Sequence, residues 1–155
     1  MIEVRDVHVS FGGKPVLEGV GLSVPEGGIY ALIGPGAAGK STLMKVIAGL
    51  IAPARVGVAR ATVARPRRLL YDEPTAGLDP VTSQKIYDLI KEEQRAAGTT
   101  NLVISSDVAG LLTIADRVGM LHRGRLIWQG TVEEARASEV PEVRQFVHGL
   151  VDGPL

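Results

Sequence analysis

Two short stretches carry side chains whose types and spacing suit phosphate chemistry. Residues 34–41 read GPGAAGKS, which fits G-x-x-x-x-G-K-[ST]. The small residues Gly34, Pro35, Gly36, Ala37, Ala38 and Gly39 let a loop curl until its backbone N–H groups point at phosphate oxygens. A helix N-terminus behind such a loop adds positive partial charge at the same place. Lys40 then supplies a point charge for the β- and γ-phosphates, the Ser41 hydroxyl suits a Mg²⁺ ligand, and Thr42 adds a phosphate contact. The second stretch is RLLYDE, residues 68–73. Asp72 ends an apolar run, where a carboxylate can hold a Mg²⁺-bound water. Glu73 follows and could polarise an attacking water as general base. The plainer readings are a Gly-rich strand-to-helix turn with a solvated lysine, and two capping carboxylates. An apolar strand leading into the loop, a helix leading out, and both motifs in one chain favour the phosphate reading.

These residues need elements to hold them. IEVRDVHVSF alternates with period two and predicts a half-buried strand, and VLEGVGLSV predicts a second after a turn at GGK. IYALIG is apolar without alternation, as in a strand covered on both faces. KSTLMKVIAGL predicts a helix that stops near Gly49. PARVGVARATVAR, residues 53–65, reads as another helix. RLLYDE and TNLVISS predict two more buried strands. Between them, DPVTSQKIYDLIKEEQRAAG predicts the clearest helix, with Asp79 as cap, Pro80 in the first turn and Gly98 at the end. DVAGLLTIAD predicts a short helix, RVGMLHRGRLIWQGT a hairpin turning at Arg123–Gly124, and VEEARAS and PEVRQFVHGL two short closing helices. Short buried strands alternating with helices imply an α/β fold with a mainly parallel central sheet. The opening strands and the late hairpin read as an antiparallel β appendage.

Composition narrows the function classes. The chain has 155 residues, enough for one domain with a real core. Lys plus Arg and Asp plus Glu number 17 each, so no basic field draws in nucleic acid or an anionic membrane. There is no cysteine, hence no disulfide and no thiolate chemistry. No apolar run reaches the roughly 20 residues that span a bilayer, and the N-terminus has no signal-peptide core. No nucleic-acid partner and no direct membrane insertion are expected. His8, His122 and His148 lack ligand spacing, and the basic run Arg65–Arg68 is read as charge at a helix C-terminus.

Joined to YDEPTAGLDP, the loop GPGAAGKST resembles the ATP-binding cassette family, the ATPase subunits of ABC transporters. The resemblance implies a P-loop NTPase fold, ATP and Mg²⁺ as cofactors, and catalytic roles for Lys40 and Glu73. It also implies a transmembrane permease subunit and a second copy as partners, and a cytoplasmic place, peripheral at the inner face of the plasma membrane. Phe11 falls where the family has an aromatic that stacks on adenine, and it also reads as a strand-end core aromatic. Asp79 matches the aspartate of the loop that couples two nucleotide sites, and it also reads as a helix cap. GRLIWQGTVEEARAS and VRQFVHGLVDGP are similar to the subfamily that powers bacterial phospholipid trafficking, the Mla- or Mce-type importers.

The chain also departs from the family. Only 31 residues lie between Lys40 and Asp72, where the family has several-fold more. The family's edge strand, glutamine loop, helical subdomain and LSGGQ signature are missing from the reading. The chain reads as a single reduced cassette domain, 1–155, with an apparent internal deletion near 50–54. A permease-docking groove is expected to be absent and a homodimer weakened. At the switch-loop position, where the family has a histidine, stands Ser106. It could bond through water, or be a plain strand-end residue. Two functions from different classes follow: an ATPase subunit driving transport, with lipid favoured, or a hydrolysis-deficient nucleotide-binding remnant or regulator.

Overall fold

The computed structural model describes residues 1–51, 55–56 and 68–155. Strands β1 (Ile2–Phe11) and β2 (Lys14–Val24) pair antiparallel, joined at Gly12 and Gly13, both with positive φ. Their alternation holds with one slip in each strand: Ile2, Val4, Val7 and Val9 are buried on β1, and Leu17, Val20, Leu22 and Val24 on β2, with a register shift between Val4 and Val7. β4 (Arg55–Val56) pairs antiparallel with the other side of β1, Val56 opposite Val7 and Arg55 opposite His8. This corrects the helix expected over residues 53–65. An open edge of β1 carries unpaired N–H and C=O groups, and a short strand satisfies them where a helix cannot. The rest of that expected helix lies outside the described residues.

A five-stranded sheet forms the centre, in the order β5 (Arg68–Asp72), β6 (Thr100–Ile104), β3 (Ile29–Ile33), β7 (Arg117–His122), β8 (Arg125–Thr131). The first four strands are mutually parallel, and β8 pairs antiparallel with β7. The late hairpin therefore belongs to the central sheet, not to the β1–β2 appendage as expected. Its first strand is apolar and buried from Val118 to Leu121, so both faces need cover, which a place beside β3 provides. Its turn at Arg123 and Gly124 has φ of 48° and 76°, the paired positive values of a tight hairpin whose twist matches its strands. β5 also departs from expectation. Arg68 to Tyr71 are half-buried and Asp72 is exposed, because among the described strands β5 pairs with β6 alone and stands at the edge of the sheet.

β3 and β6 are buried at every position. Tyr30, Leu32, Leu102 and Ile104 face one core, shared with β1, β2 and helix α1 (Lys40–Ile47). Ile29, Ala31, Ile33 and Val103 face a second core, shared with α2 (Pro80–Ala97), α3 (Val108–Ile114), α4 (Val132–Arg136) and α5 (Pro141–His148). The helix ends follow their caps. Asp79 accepts from the N–H groups of Val81 and Thr82, each at 3.0 Å, and Gly98 closes α2 in the left-handed region at φ 61°. Thr131 and Glu134 form a reciprocal capping box on α4. Among the described residues no helix is long and apolar enough to cross a membrane.

Candidate nucleotide site

The phosphate loop runs from the buried end of β3 to the start of α1. Its backbone is fixed by close packing. A Cβ on Gly34 (φ 143°) would lie 2.0 Å from the carbonyl oxygen of Leu121, and one on Gly39 (φ 102°) 2.7 Å from Leu17 Cδ2. Ala37 takes a positive φ of 59° without being glycine, a strained backbone of the kind found at ligand clamps. The N-terminus of α1 has no side-chain cap. Its first-turn N–H groups therefore keep their donors for something outside the helix. This fits a bound phosphate, which accepts from such donors and is favoured by the helix dipole.

Lys40 lies partly buried. Its Nζ donates to the carbonyl oxygens of Gly34 (2.7 Å) and Pro35 (3.0 Å), within its own loop. Burial pulls its pKa below the ordinary lysine value, against the opposing pull of Glu73 and, less, Asp72. The two motifs therefore converge, as their spacing alone could not guarantee. Ser41 Oγ donates to Asp72 Oδ1 at 3.2 Å, so the hydroxyl and carboxylate expected to share Mg²⁺ stand side by side. Glu73 sits just beyond, at a positive φ of 52°, with its N–H on the carbonyl of Ile104 at 2.9 Å.

Ser106 bonds to Glu73 directly. Its N–H (2.8 Å) and its hydroxyl (3.1 Å) both donate to Glu73 Oε2. The expectation of a water-bridged or idle serine is replaced by a two-donor clamp on the candidate base. Phe11 is half exposed, 50% of its surface open, and so is no core aromatic. With Val16 it borders a hollow of about 380 Å³ floored by residues 37–42, a size suited to a small organic ligand. Thr42 lines the same hollow, whereas Pro35, half-buried, and Gly36, exposed, do not border it. Asp79 caps α2 and bonds nothing at the phosphate loop. His8 bonds Asp6 at 2.9 Å and His148 the carbonyl of Arg136 at 3.0 Å, both on the surface. No group of three or more metal-ligating side chains occurs among the described residues. Arg68 lies in a strand rather than at a helix end, and residues 65–67 lie outside the described set.

Sequence reasoning missed one more set of contacts. Gly124 N–H donates to the carbonyl of Ala38 at 3.1 Å, and Glu18 N–H to that of Gly124 at 2.8 Å. The hairpin turn thus ties the phosphate loop to β2. The only signal for it was the glycine itself.

Fold and loop together define a P-loop nucleoside-triphosphatase architecture. A solved structure described as the ATP-binding subunit of an ABC transporter superposes with a TM-score of 0.75 at 21% identity, covering 97% of this chain and 99% of that one. The ABC transporter family model matches residues 17–55. The phospholipid-transport ATP-binding protein MlaF of Escherichia coli K12 is 24% identical over 245 positions, 100% of this chain and 91% of its own length. The methionine-import ATP-binding protein MetN of Haemophilus influenzae 86-028NP is 43% identical over 91 residues, 59% of this chain and 26% of its own. In fold and over its matched stretches the chain is similar to ATP-binding subunits of ABC transporters.

Proposed function

We propose that this chain holds Mg-ATP in the hollow between Phe11 and the phosphate loop, and that on its own it turns ATP over slowly. The observation that carries the reading is the contact of Ser41 with Asp72, which sets two oxygen ligands for Mg²⁺ beside the Lys40 ammonium. Bound Mg²⁺ would neutralise phosphate charge. The α1 N–H groups and Lys40 would grip the β- and γ-phosphates, Phe11 would carry the adenine, and Glu73 would take the proton of the attacking water.

Slow turnover follows from what the sequence lacks. No LSGG stretch occurs in the chain, so a second copy has no such donors to offer the γ-phosphate, and one well-placed donor is worth about a hundredfold or more in rate. The reading includes an internal excision near residues 50–54. The MlaF alignment spans 245 positions against a chain of 155, so about 90 positions of that relative stand opposite no residue here. The family-model match also stops at residue 55. On this reading the helical subdomain and its permease groove would be absent and the homodimer weakened. Work at the cytoplasmic face of a membrane, in lipid transport, is supported by the likeness to MlaF. The shorter and closer likeness to MetN supports a different cargo.

The test is calorimetric titration of ATP with Mg²⁺ into the wild-type chain and into Lys40→Ala. Loss of Lys40 should weaken binding by roughly ten- to a hundredfold, the worth of charge-assisted hydrogen bonds. Equal affinities would mean that the phosphate-loop assignment is wrong.

A further inference from the structure

Behind Glu73 and Ser106 lies a cluster of hydroxyls that the nucleotide reading does not use. Tyr87, on α2, is fully buried, and Ser105 and Thr75 nearly so. Tyr87 Oη donates to Ser105 Oγ at 2.8 Å and shares a hydrogen with Thr75 Oγ1 at 3.0 Å, while Thr75 and Ser105 stand 3.5 Å apart. Three hydroxyls carry three hydrogens and can close a ring in which each donates once and accepts once. Asp107 N–H adds a further donor to Ser105 Oγ at 3.1 Å. Gly110 lets α3 lie against the ring of Tyr87, since a Cβ there would come within 2.5 Å of Tyr87 Cε2.

The cluster sits where two functional segments meet. Thr75 is two residues past Glu73, in the turn that leads to Asp79. Ser105 directly precedes Ser106, whose N–H and hydroxyl hold Glu73. We infer that Tyr87 is a positioning residue: through Thr75 and Ser105 its hydroxyl sets the distance between the Glu73 turn and the Ser106 segment, and so holds the clamp on the base. Such buried networks stiffen what they join only when every member is satisfied, so removing one hydrogen-bonding group should loosen the whole unit. The catalytic meaning rests on the reading of Glu73 as base, but the positioning does not.

The experiment is amide hydrogen exchange by NMR on the full chain, comparing wild type with Tyr87→Phe, which keeps the buried ring and deletes its hydroxyl. The expected result is exchange at the Ser106 and Asp107 amides at least about tenfold faster, with the β3 and β7 amides changed far less. Mg-ATP affinity should stay within about twofold, since no cluster member touches the phosphate loop. Ser105→Ala serves as a second variant should Tyr87→Phe fold poorly, with the Ser106 amide as its reporter. No selective change at Ser106, or an equal change at every core amide, would overturn the proposal. Absence of ATP binding in the wild type would instead overturn the nucleotide reading and leave this one standing.

Discussion

The two halves of the candidate nucleotide site are built on unlike foundations. The phosphate loop leaves β3, a central strand buried at every position, and Leu17, Leu121 and Val16 press against its glycines. Asp72 and Glu73 leave β5, a half-buried strand with one described neighbour. The half with the phosphate loop is part of the core, whereas the half with Asp72 and Glu73 stands on the rim and is steadied by side-chain bonds to Ser41 and Ser106. The difference teaches that, under the proposed function, holding nucleotide and hydrolysing it would be separable here. Packing and the bonds of Lys40 and Gly124 shape the first, and the second would need alignment that few local contacts supply.

The largest expected effect breaks the packed half. Gly34→Ala drives a Cβ into the Leu121 backbone, which cannot move aside as a side chain would. Overpacking of this kind in a positive-φ position should cost several kcal/mol. We expect the variant to lose its cooperative thermal transition or to melt at least about 10 °C lower. Gly36→Ala meets nothing within 4 Å and should melt close to wild type. Equal melting of the two would show that the loop is not core-packed.

A middle effect separates the halves. Asp72→Asn removes the charge beside Ser41 while keeping the shape. ATP affinity measured with Mg²⁺ should fall by about tenfold, and affinity in EDTA should hardly change, because the carboxylate acts through the ion. An equal loss in both conditions would place Asp72 in a purely structural role.

The smallest effect is a pH dependence. The Lys40 pKa lies below the ordinary value of 10.5, with burial the main cause. In the proposed site the charged form would grip phosphate, so a lowered pKa means that affinity should begin to fall at a lower pH than an exposed lysine would give. ATP affinity titrated from pH 7 to pH 10 should decline on the alkaline side, and that decline should vanish in Lys40→Ala.

Much of this was legible in the sequence, for reasons that differ by residue. The loop from Gly34 to Ser41, the cap at Asp79 and the stop at Gly98 are local, and each follows from neighbours within a turn. The place of the late hairpin was not legible. VGML looks the same beside a parallel strand as in a separate layer, and only the need to cover β3 decides it. The Ser106 clamp was hidden because it depends on the left-handed backbone at Glu73, 33 residues away. The hydroxyl ring joins residues 12, 18 and 30 apart, and nothing in one sequence pairs them.

The most direct measurement is phosphate release from Mg-ATP by the purified chain, beside Glu73→Gln, in samples whose ATP binding has been confirmed by calorimetry. The account predicts binding in both, with slow turnover by the wild type and still slower turnover by Glu73→Gln. Equal turnover in the two would contradict it, and would mean that Glu73 does not act as the base.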